Sequence, residues 1–203
     1  MPMVSSVRRR LTAEDRRAKI LAAAVRAFAV NGYDNTSMNR IAVLAKVTKP
    51  VLYDHFSSKQ SLFLTVLKSI RNGLIAKGKV IAEAGNGPEE IFRRSVDAFL
   101  QFIEQQPDAA RVLLMVPRSN AAAVRISREV QAGASAGIAC LLANIMPGSS
   151  PWRLLVAAEF LKEGLHAVAK WWLKHPGPSR EELVNVITGL VLPRQLTNEP
   201  ERR

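Results

Sequence analysis

The most restrictive feature of this chain is a set of closely spaced turn signals between Asp34 and Ser58. Asp34-Asn35-Thr36-Ser37 has capping capacity, Ala45-Lys46-Val47 reads as a tight turn, and Ser57-Ser58 restarts the chain. Only two short helices fit between these signals, one from about Ser37 to Leu44 and one in the stretch VTKPVLYDHF, where Thr48 is placed as the cap. Ile41 and Leu44 fall inward on the first, and Val51 and Leu52 anchor the second.

A longer helix precedes them. Thr12 caps it, Glu14 and Asp15 favour its dipole in the first turn, and Gly32 stops it after about Asn31. Ile20, Leu21, Ala24, Val25 and Phe28 recur at three- and four-residue steps and give it one apolar face. Two short helices joined by a tight turn behind such a helix make a helix-turn-helix. From Ser57-Ser58 a long helix runs on, with Leu62, Phe63, Val66, Leu67 and Ile70 on its apolar side. Gly85-Asn86-Gly87-Pro88 then breaks the chain. Beyond it the pattern predicts helices at about 88–106, 108–115, 119–145, 151–174 and 179–192. The fold class is all-α. A basic arm (1–11) leads into a three-helix domain with the helix-turn-helix (12–60), a larger helical bundle (61–195) and a tail (196–203).

Charge points to the partner. The formal net charge is +12, and residues 1–60 hold 11 Lys/Arg against 4 Asp/Glu, a net of +7. A polyanion is therefore expected at the N-terminal end. Arg8-Arg9-Arg10 reads either as an arm for an adjacent minor groove or as a solubilising tail. Cys140 is the only cysteine, so no intrachain disulfide forms, and its apolar surroundings predict a small buried residue. No apolar run reaches the ~18–20 residues that span a bilayer, and a cytoplasmic location is the expectation. No nucleophile–base signature, phosphate loop or paired ligand motif is present. The chain reads as a non-enzyme with no cofactor and no metal.

In a helix-turn-helix the leading end of the second helix meets base edges. At 100° per residue Lys49, Pro50 and Tyr53 fall within an arc of about 100°. Lys49 can donate to guanine O6 or N7, and Pro50 offers an apolar edge to a thymine methyl. Tyr53, His55 and Lys59 can each reach a phosphate.

Thr36 to Phe63, TSMNRIAVLAKVTKPVLYDHFSSKQSLF, resembles the N-terminal domain of TetR-family transcriptional regulators. The core of the likeness is Leu52-Tyr53-x-His55-Phe56-x-x-Lys59, and ILAAAVRAFAVNGYDNTS extends it back to Ile20. The resemblance implies DNA contacts at Ser37, Asn39, Thr48, Lys49, Pro50, Tyr53, His55 and Lys59. It also implies a ligand-responsive C-terminal domain and a homodimer, usually a repressor, on a palindromic operator in double-stranded DNA. Where the family often has Ala-Gly-Val in the turn, this chain has Ala45-Lys46-Val47. A left-handed Lys46 there would cost about 1–2 kcal/mol.

The candidate effector site in the larger domain comprises Phe99, Phe102, Leu114, Met115, Glu163 and His166, although simple core packing is the stronger reading for any single apolar one of them. A hydrophobic or aromatic small molecule is the implied ligand. Glu159, Glu163 and His166 share one helix face. They read either as pocket groups or as an exposed polar stripe, and the stripe is the expectation because charges are seldom buried. A carboxylate-bridged metal site would need a second Glu-x-x-His, which the chain lacks. Trp171-Trp172 is expected to divide, one ring packed and one partly exposed. Ala157, Ala158, Leu161, Gly164, Leu165 and Val168, with Leu183, Val184, Ile187, Leu190 and Val191, offer the last two helices as a dimer surface. The competing reading is a sequence-independent nucleic-acid packaging protein, which would bind through charge alone.

Overall fold

The computed structural model describes residues 12–84, 87–114 and 120–191. Arg8–Arg10, Met115 and the tail 196–203 lie outside them. Helix α1 (Ala13–Asn31) starts at a capping box: Thr12 Oγ1 accepts from the Asp15 N–H at 3.0 Å, and Asp15 Oδ2 accepts from the Thr12 N–H at 3.1 Å. Those same bonds from Thr12 hold the Asp15 carboxyl below its usual range. Gly32 ends α1 at φ 73°.

Helix α2 (Met38–Ala45) is capped by Ser37, whose Oγ accepts from the Arg40 N–H at 3.2 Å. Met38, Ile41, Ala42 and Ala45 face inward. Leu44, predicted to join them, is 38% exposed. It sits about 110° from the centre of the arc those four residues define, so it falls outside the buried face. Lys46 is left-handed, at φ 55° and ψ 42°. Its N–H bonds to the Val43 carbonyl, and the Val47 N–H bonds to the Ala42 carbonyl at 3.0 Å. This paired closure is a Schellman motif, with Val47 packed back on the core.

Helix α3 (Lys49–His55) begins at once, with Leu52 as its fully buried anchor. Thr48 occupies the capping position, yet its side chain makes no cap hydrogen bond. Pro50 explains the difference from expectation, because it removes one of the two N–H groups that a capping oxygen normally takes. Helix α4 (Lys59–Glu83) is capped by Ser58 through the Ser61 N–H at 3.1 Å.

Helices α5 (Pro88–Gln105), α6 (Pro107–Leu114), α7 (Ala121–Ile145), α8 (Pro151–Trp172) and α9 (Arg180–Val191) complete the bundle. Pro88 and Pro151 sit where a helix has no use for the missing donor. No strand occurs among the described residues. The chain is all-α, with an N-terminal helix-turn-helix and a helical C-terminal domain. Arg180 ties α9 to α5 through Asp97 at 2.8 Å and Glu104 at 2.6 Å. Trp172 is buried and donates to the Pro178 carbonyl at 2.9 Å, while Trp171 is exposed, as the sequence suggests.

Two main cores result. The first joins α1 to α3 and the start of α4 around Phe28, Tyr33 and Phe63, and also takes Val112 of α6 and Ala123, Ile126 and Val130 of α7. Phe28 meets Phe63 edge-on at 5.2 Å, and Tyr33 lies 4.8 Å from Phe63. The second joins α5, α6, α8 and α9. Cys140, expected to be buried, is exposed on α7, because the core of that helix runs through Ala139 and Leu142 instead.

Lys46 is the only residue other than glycine with positive φ among the described residues. Lys46→Gly should relieve about 1–2 kcal/mol of strain and lose roughly 0.5–1 kcal/mol to greater freedom of the unfolded chain. A net gain of about 0.5–1 kcal/mol is expected in urea denaturation, and a loss of stability would contradict this account of the turn.

Candidate functional site

The end of α3 that carries Lys49 and Pro50 is open. Thr48, Lys49 and Pro50 are exposed, and Tyr53 is 42% exposed one turn on. The Lys49 ammonium lies 5.9 Å from the Tyr53 ring centre, which holds both groups on one side of the helix. Without a capping bond, the Thr48 hydroxyl keeps both its donor and its acceptor capacity. His55 is half-buried in the last turn. Ser37 and Asn39 are exposed at the start of α2, and Arg40 stands exposed beside them. Sequence reasoning misses Arg40, although a basic residue in the first turn of α2 is an available signal.

Lys59 behaves differently from expectation. Its ammonium donates to the carbonyls of Tyr33 at 2.9 Å, Thr36 at 3.0 Å and Asp34 at 3.4 Å. It also lies 4.3 Å from the Tyr33 ring centre. An ammonium has three donors, and all three are engaged here. The turn between α1 and α2 presents carbonyls with no helical partner, so the cation is drawn inward rather than left for a phosphate. Thr36 reinforces the same turn by donating to the carbonyls of Gly32 at 2.6 Å and Ala27 at 3.1 Å. Lys59 thus positions the entry into α2.

A second site lies in the larger domain. A cavity of about 160 Å³ opens between α4, α5, α7 and α8. Leu74, Ile75, Phe92, Phe99, Leu161 and Leu165 supply much of its apolar wall. Of the candidates picked out from sequence, Phe99 and His166 line it. Phe102 and Leu114 instead pack in the second core, and Glu163 is exposed. Three glycines set the seam between α4 and α7. A Cβ on Gly78 would stand 2.8 Å from Leu141 Cδ1, one on Gly137 2.8 Å from Ile75 Cδ1, and one on Gly133 would strike the Arg71 guanidinium.

The polar face of α8 is divided, not a uniform exposed stripe. Lys162 is 6% exposed, and its ammonium reaches Ser135 Oγ at 2.9 Å, Glu159 at 2.8 Å and Glu163 at 3.4 Å. Hydrogen bonds from Lys162, then Ser135, hold the Glu159 carboxyl below its usual range. Burial of Lys162 is tolerated because its donors are all satisfied. His166 is buried and stacks on Phe99, with centroids 6.0 Å apart at 25°. Burial pushes its imidazole down to about 4; Glu163 opposes that shift, while Lys170 and Lys162 add to it. The ring is therefore neutral at physiological pH.

The same rotation of α8 changes the expected dimer surface. Ala158 is fully buried, and Leu161, Leu165 and Val168, with Leu183, Val184 and Ile187 of α9, pack in the chain's own core. The large apolar residues left outside are Trp152, Leu155, Val156, Phe160 and Trp171 on α8, with Val186 and Leu190 on α9. Among the described residues no helix is long and apolar enough to cross a membrane, and no group of His, Cys, Asp and Glu is placed to hold a metal ion.

Comparison with known proteins mirrors this division. A family model described as bacterial regulatory proteins, tetR family, matches residues 20–66. A second, described as tetracyclin repressor-like, C-terminal domain, matches residues 88–192, half of the chain. The HTH-type transcriptional activator FasR of Mycolicibacterium smegmatis is 36% identical over 104 residues, which cover 51% of this chain and 48% of that protein. The chain spans about half the length of that curated relative. Fatty acid degradation regulator FadR from Bacillus halodurans superposes with a TM-score of 0.76 at 19% identity, over 87% of this chain and 98% of that one. FadR from Bacillus subtilis, solved in complex with stearoyl-CoA, superposes with a TM-score of 0.74 at 17% identity, over 87% and 97%. These two structures share the fold.

The buried imidazole predicts a pH dependence. An unfolded chain protonates His166 near 6.5 and the folded one near 4, so between these values the unfolded state holds more protons. Stability should fall as pH drops through that window. Urea titrations at pH 7 and 4.5 should show wild type losing about 2 kcal/mol more than His166→Gln; equal losses would contradict the burial of a neutral ring.

Proposed function

Since the chain belongs to the TetR family of bacterial regulatory proteins, we propose that it is an effector-responsive transcriptional regulator, a repressor that binds a palindromic operator as a homodimer in the cytoplasm. The observation that carries this reading is the open leading end of α3, with Lys49, Pro50 and Tyr53 outward on a helix anchored by Leu52. Ser37, Asn39, Thr48 and His55 flank that end, and Arg40 and Lys46 add positive charge beside it. A bound dimer places two such helices in successive major grooves, about 34–36 Å apart. Blocking polymerase access from such a site is repression. FasR, which carries the name of an activator, favours a second reading in which the same contact recruits polymerase.

The effector reading rests on α4. Its first turns belong to the N-terminal core through Leu62, Phe63, Val66 and Leu67, and its later turns line the cavity through Leu74, Ile75 and Ile81. A molecule that favours a wider cavity shifts α4 and so the spacing of the two reading helices. By linkage, effector and DNA then weaken each other by the same factor. The dimer reading rests on the exposed apolar residues of α8 and α9. Phe160 is 72% exposed and Leu190 79%, and two helices from each subunit make a four-helix interface.

Fluorescence anisotropy tests the DNA reading, using a site selected from a random duplex pool and unselected DNA at physiological salt. The selected site should be an inverted repeat bound at least roughly a thousandfold more tightly; a ratio near one would favour a packaging protein instead. Tyr53→Phe should weaken both DNAs about fivefold. Lys49→Ala should weaken the selected site roughly ten- to a hundredfold and change the preferred base. A reporter driven from that site should rise on deletion of the gene, whereas a fall would establish the activator reading.

The interface has its own test. Analytical ultracentrifugation should show a dimer for wild type and a monomer for Phe160→Glu, since a carboxylate at the centre of an apolar interface is left unpaired. An unchanged dimer would place the interface elsewhere.

A further inference from the structure

The cavity is lined by two polar side chains with hydrogen-bonding capacity that no described residue takes up. Gln131, on α7, lines it and donates through Nε2 to the Leu113 carbonyl at 3.4 Å. That carbonyl fixes the orientation of the carboxamide, because a flip would set two oxygens face to face. The remaining oxygen, Oε1, is buried and has no hydrogen-bond partner among the described residues. His166 lines the same cavity. Its ring stacks on Phe99, and its environment is burial and nearby charge, with no hydrogen bond to a described residue.

We propose that this cavity takes a small, uncharged aromatic molecule carrying a hydroxyl group, of the class and size of a cresol. The proposal rests on the effector-responsive reading above and names the ligand class of the same site. Size argues first. A volume of about 160 Å³ falls below the roughly 300–1,000 Å³ of pockets for larger ligands. It is close to the ~150 Å³ that accommodates a single benzene ring.

Charge argues second. Lys162, the buried cation at the wall, already has Ser135, Glu159 and Glu163 on its ammonium. With two carboxylates around one ammonium, that group repels an anion rather than attracting it. Arg71 and Lys77, on the α4 side, keep their charge but are drawn to the amide oxygens of Asn72 and Gln101 at the exposed edge, where water screens them. An entering carboxylate would exchange water for a wall of Leu, Ile and Phe side chains, where the one buried cation, Lys162, is already outnumbered by carboxylates.

Hydrogen bonding argues third. A hydroxyl is donor and acceptor at once. It can donate to the bare imidazole nitrogen or accept from the imidazole N–H, and a small shift of the carboxamide would bring the buried Gln131 Oε1 within reach as a second acceptor. A methyl in its place leaves all of these unpaired. The stacked Phe99–His166 pair offers a flat wall to an aromatic ring.

Calorimetric titration of the full chain with p-cresol, toluene, 4-methylbenzoate and laurate tests the assignment at pH 7. p-Cresol should bind at least about tenfold more tightly than toluene, and 4-methylbenzoate and laurate should bind more weakly than either. In His166→Phe and in Gln131→Leu the preference for p-cresol over toluene should collapse while toluene binding persists, which shows an intact cavity. Equal binding of p-cresol and toluene to wild type overturns the proposal, as does tighter binding of 4-methylbenzoate or laurate. An unchanged preference in both variants also overturns it. The effector reading is scored separately by adding each compound to the preformed DNA complex. Release by laurate but not by p-cresol sinks the ligand class and keeps the regulator. Tight p-cresol binding without release keeps the site and sinks its coupling to DNA.

Discussion

A single unbroken helix is shared by two cores, and the rest of the architecture depends on that sharing. α4 has no proline and runs from Lys59 to Glu83. Leu62, Phe63, Val66 and Leu67 lock its start among α1, α2 and α3. Its second half is pressed against α7, where glycine notches allow close approach. A hydrogen-bonded helix of this length moves as a unit unless something interrupts its ladder. The two ends therefore cannot be displaced independently. The N-terminal core is not self-sufficient either, since Val112, Ala123, Ile126 and Val130 arrive from later in the chain to close it. The reading head is consequently held from the side of the larger domain as well as through α4.

Within the reading head, the physical division of labour is between inward and outward cations. Lys59 is consumed by three carbonyls of the α1–α2 turn, while Lys46, Lys49 and Arg40 stay in solvent. The inward one fixes where α2 begins, and so fixes Ser37 and Asn39. The outward ones are available to a polyanion. Counting basic residues in a sequence does not separate these roles. Only the number of unpaired carbonyls within reach decides which ammonium turns in.

Much of the fold was legible from local signals. Thr12, Ser37 and Ser58 act as caps, Gly32 stops its helix, and Lys46 adopts the left-handed state that its place in the turn demands. These are decided within a few residues, so the sequence window contains the cause. Leu52 inward with Lys49, Pro50 and Tyr53 outward was equally legible, because one apolar anchor fixes the rotation of a seven-residue helix. Thr48 was misread for a local reason, Pro50 two residues on, whereas the other misread positions depend on their neighbours in space. α8 is apolar on more than one side, and its rotation is settled by where Ser135 on α7 meets Lys162. Once that contact forms, Glu163 is turned out, His166 is turned in, and the face with Ala158, Leu161 and Leu165 is committed to the chain's own core. Cys140 and Leu44 obey the same rule, for each lies at the margin of an apolar arc whose limits are drawn by a neighbour. Gln131 gave no local signal at all, because a glutamine in an alanine-rich helix is ordinary until its oxygen is seen to lack a partner.

The notches at Gly78, Gly133 and Gly137 have one more consequence. At each of them the separation of α4 from α7 is limited by a hydrogen atom on the backbone, with a leucine, an arginine or an isoleucine resting directly above it. The gauge of the chamber is thus set where three of its lining side chains rest on bare backbone. A methyl added at a notch would first displace the side-chain tip above it, so a change on one helix would reshape the chamber through a lining residue of the other.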